Sequence, residues 1–101
     1  MDTVLSINLI TTNPKVRGGR PCIAGTGLRV TDIVMAHLFH NRTPSELASD
    51  YDISMAQVHA ALAYYYEHKD ELDADIRQQI AKARDLKEKG VGSKGTSLLP
   101  R

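Results

Sequence analysis

The chain has 101 residues, 42% hydrophobic and 25% charged, which suits one folded domain with an extended arm and leaves no room for a second independent core. No run approaches the roughly 20 apolar residues a bilayer crossing needs, and Met1-Asp2-Thr3-Val4 lacks the basic, apolar start of a secretory signal, so a cytoplasmic protein without a membrane partner is expected. The single cysteine, Cys22, excludes an internal disulfide and agrees with a reducing compartment.

The formal net charge of +1 conceals a strong segregation of signs. Residues 1–14 carry only Asp2, while residues 15–42 carry Lys15, Arg17, Arg20, Arg29 and Arg42 against Asp32, a net +4. Residues 43–76 carry eight acids against Lys69, a net −7, and residues 77–101 carry seven bases against Asp85 and Glu88, a net +5. Two basic stretches flanking an acidic one suit a protein with more than one macromolecular partner.

In chain order, Val4 to Ile10 is rich in β-branched and apolar residues and predicts a short strand, broken at Asn13-Pro14. Cys22-Ile23-Ala24 and Leu28-Arg29-Val30 flank Gly25-Thr26-Gly27 as a tight hairpin. Thr31 or Asp32 is the expected cap of a helix through Ile33, Val34, Ala36, Leu38 and Phe39 that ends near Asn41. Thr43-Pro44-Ser45-Glu46 combines an N-cap, a proline at the first helical position and an acid at the third, a strong start signal. That helix stops at Ser49-Asp50-Tyr51-Asp52, and another restarts at Ile53-Ser54 with Val58, Ala61, Leu62 and Tyr65 at helical spacing. A fourth helix is predicted from Lys69 to Lys89, with Leu72, Ile76, Ile80, Ala83 and Leu86 along one stripe. The glycine- and serine-containing residues 90–101 predict a disordered tail.

Residues 43–65 have the layout of a helix-turn-helix. Ala48 is small enough to let two helices approach, Leu47 and Tyr51 are expected to face the core, Asp52 tolerates a left-handed turn, and Ile53, Val58 and Ala61 anchor the second helix. Ser54, Gln57 and His59 would then project outward as candidate DNA readers. Residues 54–66 contain no lysine or arginine, so phosphate contacts would have to come from Lys15, Arg17, Arg20, Arg29 and Arg42, doubled in a two-fold dimer. A plain helical hairpin inside a core fits the same pattern. On the fourth helix, Leu72, Ile76, Ile80 and Leu86 form a candidate partner-binding stripe, which could equally complete the core or a homodimer. The basic run Lys82, Arg84, Lys87, Lys89 and Lys94 suits nucleic acid or an acidic nuclease surface.

Enzymatic signals are weak. His37 and His40 lack a third metal ligand at sensible spacing, and Asp70, Glu71, Asp73 and Asp75 suit the start of a helix. Cys22 has no histidine near it in sequence, and Gly25-Thr26-Gly27 is too short to cradle a phosphate. Neither catalytic residues, metal ligands nor a cofactor are expected.

The stretch from Asn13-Pro14-Lys15-Val16-Arg17-Gly18-Gly19-Arg20-Pro21-Cys22 through Ile23-Ala24-Gly25-Thr26-Gly27-Leu28-Arg29-Val30 resembles the opening signature of the small prokaryotic domain-of-unknown-function family 433, and Thr43 to Ala48 and Ile53 to Tyr66 are similar to it as well. The resemblance spans about residues 5–76 and implies a strand-led or winged helix-turn-helix that dimerises. It also implies a VapB-type antitoxin, one that binds operator DNA and neutralises a nuclease toxin of PIN-like fold. The expected architecture is mainly α: a small N-terminal β-element and a winged-helix-like helix-turn-helix bundle in residues 1–68, then a C-terminal amphipathic helix at 69–89 and a tail at 90–101. A stand-alone regulator, and a dimerisation or protein-interaction module that never touches DNA, remain the alternatives.

Overall fold

The computed structural model describes residues 1–88. The expected tail at 90–101, and Lys89 and Lys94, lie outside the described residues. The chain is mainly helical, with a minimal antiparallel pair of strands, β1 (Ile10–Thr11) and β2 (Cys22–Ile23), ahead of four helices. Contacts divide it into two units, Met1–Lys69 and Asp70–Arg101.

In the first unit, β1 and β2 pair with Ile10 opposite Ile23 and Thr11 opposite Cys22. The strand expected at Val4 to Ile10 is therefore much shorter and shifted toward the loop: before Ile10 only Leu9 O is bonded toward β2, accepting from Ala24 N–H at 2.8 Å, and among the described residues no strand pairs with Val4 to Asn8. The hairpin at residues 22–30 is reduced to one bridge, between Cys22 and Arg29, with Ile23 N–H donating to Leu28 O at 2.9 Å. Thr26 closes its turn: its hydroxyl donates to Ile23 O at 2.8 Å and accepts from Leu28 N–H at 3.0 Å. Gly25 has φ +76°, and a Cβ placed there would meet nothing within 4 Å, so the backbone conformation rather than space demands the glycine.

Helix α1 (Val30–Phe39) is capped at Arg29 and so begins two residues earlier than a Thr31 cap, or three earlier than an Asp32 cap, would place it. Asp32 instead sits at the third helical position and reaches back, accepting from the Arg29 backbone N–H at 2.9 Å and from the Arg29 guanidinium at 2.7 Å. This is half of a capping box, with the cap residue's own side chain contributing an ion pair. Ile33 and Val34 are fully buried, whereas Leu38 and Phe39 are exposed. Asn41, at φ +54°, then turns the chain.

Helix α2 (Pro44–Tyr51) follows its start signal closely: Thr43 Oγ1 accepts from Glu46 N–H at 3.1 Å, and the Glu46 carboxylate accepts from Thr43 N–H at 2.9 Å. It ends at Asp52, which occupies the left-handed region at φ 55°, ψ 51°. Ile53 N–H then returns to Ala48 O at 3.0 Å, satisfying a helix-terminal carbonyl. Helix α3 (Met55–Glu67) starts on a second box, with Ser54 Oγ accepting from Gln57 N–H at 3.1 Å and Gln57 Oε1 from Ser54 N–H at 2.7 Å.

Helices α1, α2 and α3 pack on one another and β1 and β2 lie against α3. The core of this unit consists of Cys22, Ile23, Val30, Ile33, Val34, Leu47, Val58, Ala61, Leu62 and Tyr65, with Thr31 as the buried polar residue. Tyr51, expected inside, is 40% exposed, because it is the last residue of α2 and the chain leaves the core there. The rest of helix α4 (Lys69–Glu88) makes up the described part of the second unit. Asp70 and Glu71 in its first turn and Lys87 in its last complement the helix dipole. No helix among the described residues is long and apolar enough to cross a membrane.

Candidate nucleic-acid interface

Residues 43–67 form two helices joined by a left-handed turn, and their packing leaves one side of α3 open. Val58, Ala61, Leu62 and Tyr65 face inward, while Met55, Ala56, His59, Ala63 and Tyr66 are exposed. The turn at Asp52 lets α2 pack against α3, and both Leu47 and Val58 are fully buried.

The structure treats the candidate readers unequally. His59 stands exposed on α3. Ser54 and Gln57 are occupied by their reciprocal capping bonds, which leaves the Gln57 amide NH2 as the donor best able to reach a base edge.

The candidate phosphate contacts divide in the same way. Lys15 and Arg17 are exposed in the loop between the strands, and Arg20 is half-buried at its end. Lys15 N–H donates to Asn13 Oδ1 at 2.9 Å, and Arg17, Gly18 and Gly19 all have positive φ, so the loop turns sharply. Arg29 is bound to Asp32, and Arg42 makes a bidentate pair with Asp50 (2.9 and 2.7 Å) and a further bond to Glu46 at 3.1 Å. The bond from Asp50, ahead of the nearby negative charge, raises the Arg42 pKa. The Thr43 N–H bond, aided by Arg42, holds the Glu46 carboxyl below the usual carboxylate range. Sequence reasoning offered Arg29 and Arg42 as phosphate ligands without their partners; the spacing of Arg42 to Glu46 by one helical turn was the signal for one of them.

Arg42 also holds α1 through its backbone. Its N–H donates to Ala36 O at 3.1 Å, and its carbonyl lies 2.8 Å from His37 Nδ1. His37 is thereby engaged near the end of α1, and among the described residues no group of three His, Cys, Asp or Glu could hold a metal. Cys22 is 4% exposed, and burial pushes its thiol pKa up against the lowering effect of Arg17. That is the opposite of an activated nucleophile.

On α4, the candidate partner stripe splits along its length: Leu72 and Ile76 are buried, Ile80 and Leu86 are exposed. Two features escaped the sequence reading. Tyr64 and His68 stack with ring centroids 4.1 Å apart, His68 Nδ1 lying 3.0 Å from Tyr64 O. Val4, Leu5 and Ile7, read as strand residues, are among the most exposed large apolar side chains in the chain.

No curated protein and no solved structure matches the chain. Residues 10–65, which hold both strands, the signature loop and nearly all of the helix-turn-helix, match the family described as Protein of unknown function (DUF433). Because that match covers more than half of the sequence, the chain belongs to this family.

Proposed function

We propose that this protein is a dimeric helix-turn-helix DNA-binding protein that serves in the cytoplasm as the antitoxin of a toxin–antitoxin pair, with a PIN-like nuclease as its toxin. The observation that carries the DNA-binding reading is the left-handed turn at Asp52 between two capped helices, with the outward side of α3 exposed. In this reading the first half of α3 enters the major groove with His59 and the Gln57 amide near base edges. Lys15, Arg17 and Arg20 engage phosphates. Arg29 and Arg42, already paired with carboxylates, contribute to the shape of the surface more than to its charge. The toxin-binding half of the reading is supported by Ile80 and Leu86, exposed on a helix whose far end is basic. It assigns the protein no catalytic step.

A second reading, a protein-interaction module without DNA binding, is favoured by the complete lack of lysine and arginine between Met55 and Glu67. Titration against the DNA upstream of its own gene at several salt concentrations separates the two. Three loop bases in each half of a dimer predict a slope of log affinity on log salt of about −5. Replacing Arg17 and Arg20 by alanine removes four of those six contacts and should flatten the slope to about −2. Affinity indifferent to salt, or to that double substitution, overturns the DNA-binding reading. The antitoxin half is tested by co-expression with the nuclease encoded beside it: the pair should co-purify and RNA cleavage should cease, and Ile80→Asp with Leu86→Asp should restore cleavage.

A further inference from the structure

The segment Met1–Leu9 presents Val4, Leu5 and Ile7 at 92%, 87% and 78% exposure, alongside a groove of about 350 Å³ that Leu5, Ile7 and Ile10 line together with Ala60, Ala63, Tyr64 and Glu67 of α3. Val4, Leu5 and Ile7 fall within four residues of chain, and Leu5 and Ile7 line one groove, so they mark an interaction surface rather than scattered surface residues. The backbone beside them is equally unfinished. β2 is flanked on one side by β1 and on the other by its bridge to Arg29, but β1 has β2 alone, so its outer edge carries no strand among the described residues. Leu9 O accepts from Ala24 N–H, which turns the Leu9 backbone toward β2, so alternation turns Asn8 and Ile10 toward the open edge.

We propose that this edge and groove form the site at which a second copy of the chain docks, its own N-terminal segment adding antiparallel to the first across a two-fold axis. Charge selects this occupant. In a protein with basic and acidic stretches elsewhere, residues 1–14 carry only Asp2 and the groove lining adds Glu67, so a highly charged partner gains little here, whereas the apolar segment meets its own copy without setting like charges against each other. With the axis near Ile7, antiparallel pairing sets Asp2 opposite Thr12, far from the other Asp2, and sets Val4 opposite Ile10 and Leu5 opposite Leu9. The partner's Leu5 and Ile7, on one face of the added strand, then close over the groove along α3, and both exposed edges disappear. This deepens the dimeric part of the proposed function by naming its interface, and it holds or fails without DNA.

The test is the mass of the full chain by sedimentation equilibrium between about 1 and about 100 µM, without nucleic acid. The expected result is a dimer of twice the 11.1 kDa chain mass. Leu5→Asp with Ile7→Asp should weaken association at least about 100-fold, because each carboxylate would be carried into an apolar interface. Its thermal melt at concentrations where both proteins are monomeric should match that of the unsubstituted chain, since neither side chain belongs to the core. Asn8→Pro, which deletes one edge donor and leaves the apolar side chains in place, should weaken association at least about 10-fold. A chain monomeric throughout the range, or a dimer that survives the double aspartate substitution, overturns the proposal; a dimer indifferent to Asn8→Pro overturns strand addition as its mode. A dimer that obeys all four expectations yet ignores DNA supports the interface and removes the DNA-binding reading alone.

Discussion

Leu47 is the residue on which the α2–α3 arrangement most depends. It is fully buried in a helix of eight residues, whose other described side chains are exposed or half-buried, so α2 is held in place largely through this one side chain. Leu47→Ala removes three carbons from a site with no solvent to refill it. Comparable core truncations cost about 2–5 kcal/mol, the upper part of the range applying where the surroundings cannot collapse. The Thr43–Glu46 capping box and the left-handed Asp52 turn pin the two ends of α2, which limits collapse, and a cost of about 3 kcal/mol is expected. In a domain of this size that corresponds to a fall in Tm of roughly 12–24 °C, a large part of the total stability such domains possess. Thermal and urea denaturation followed by far-ultraviolet circular dichroism measure it directly. Ser49→Ala, on the exposed side of the same helix, is the control and should change stability by less than about 0.5 kcal/mol. A loss below about 1 kcal/mol for Leu47→Ala would refute the claim that this side chain clamps the helix pair.

Three further outcomes are expected. Thr43→Ala and Ser54→Ala each remove a side-chain acceptor from a helix start and should each cost about 1 kcal/mol, additively, in the same denaturation assay. Glu46 has a folded pKa below its ordinary value of 4.5, so its contribution is complete above the unfolded pKa and is lost as pH falls through the folded one; the stability gap between the unsubstituted chain and Glu46→Ala, measured from pH 7 to pH 2.5, should close only below about pH 4.5. Cys22, buried and with a raised pKa, should react with a thiol-specific disulfide reagent many-fold more slowly in the native protein than in denaturant, and equal rates would contradict its burial.

The helical part of this fold is legible in the sequence because its signals are local. Thr43-Pro44-Ser45-Glu46 specifies a cap, a proline and a returning carboxylate within four residues, and the structure contains each of those bonds. Asp52 was readable as a left-handed turn because aspartate is among the few residues that tolerate that conformation. The strands are harder to read, since Val4 to Ile10 has strand composition, yet a strand exists only where another backbone lies beside it, and among the described residues the paired strand begins only at Ile10. The start of α1 was misplaced because arginine is not a capping residue; Asp32 works from inside the helix, and its ion pair with Arg29 depends on side-chain direction rather than on residue type. In the candidate site, the sequence identified the bases and could not reveal which were already engaged. Arg42 binds Asp50 across eight residues, and that pairing exists only once α2 has formed.

Arg42 holds α1 through its backbone and α2 through its guanidinium, and so acts as a brace across the bend between them. Each exposed ion pair is worth little alone, but the brace ties down a corner where a short loop would otherwise swing. A macromolecule docking on the outer side of α3, as proposed, would therefore meet a platform already set and need not spend association energy on assembling it. Encounter rates should then track ionic strength while the heat capacity change of association reflects only the area covered, with no contribution from coupled folding of α1 or α2.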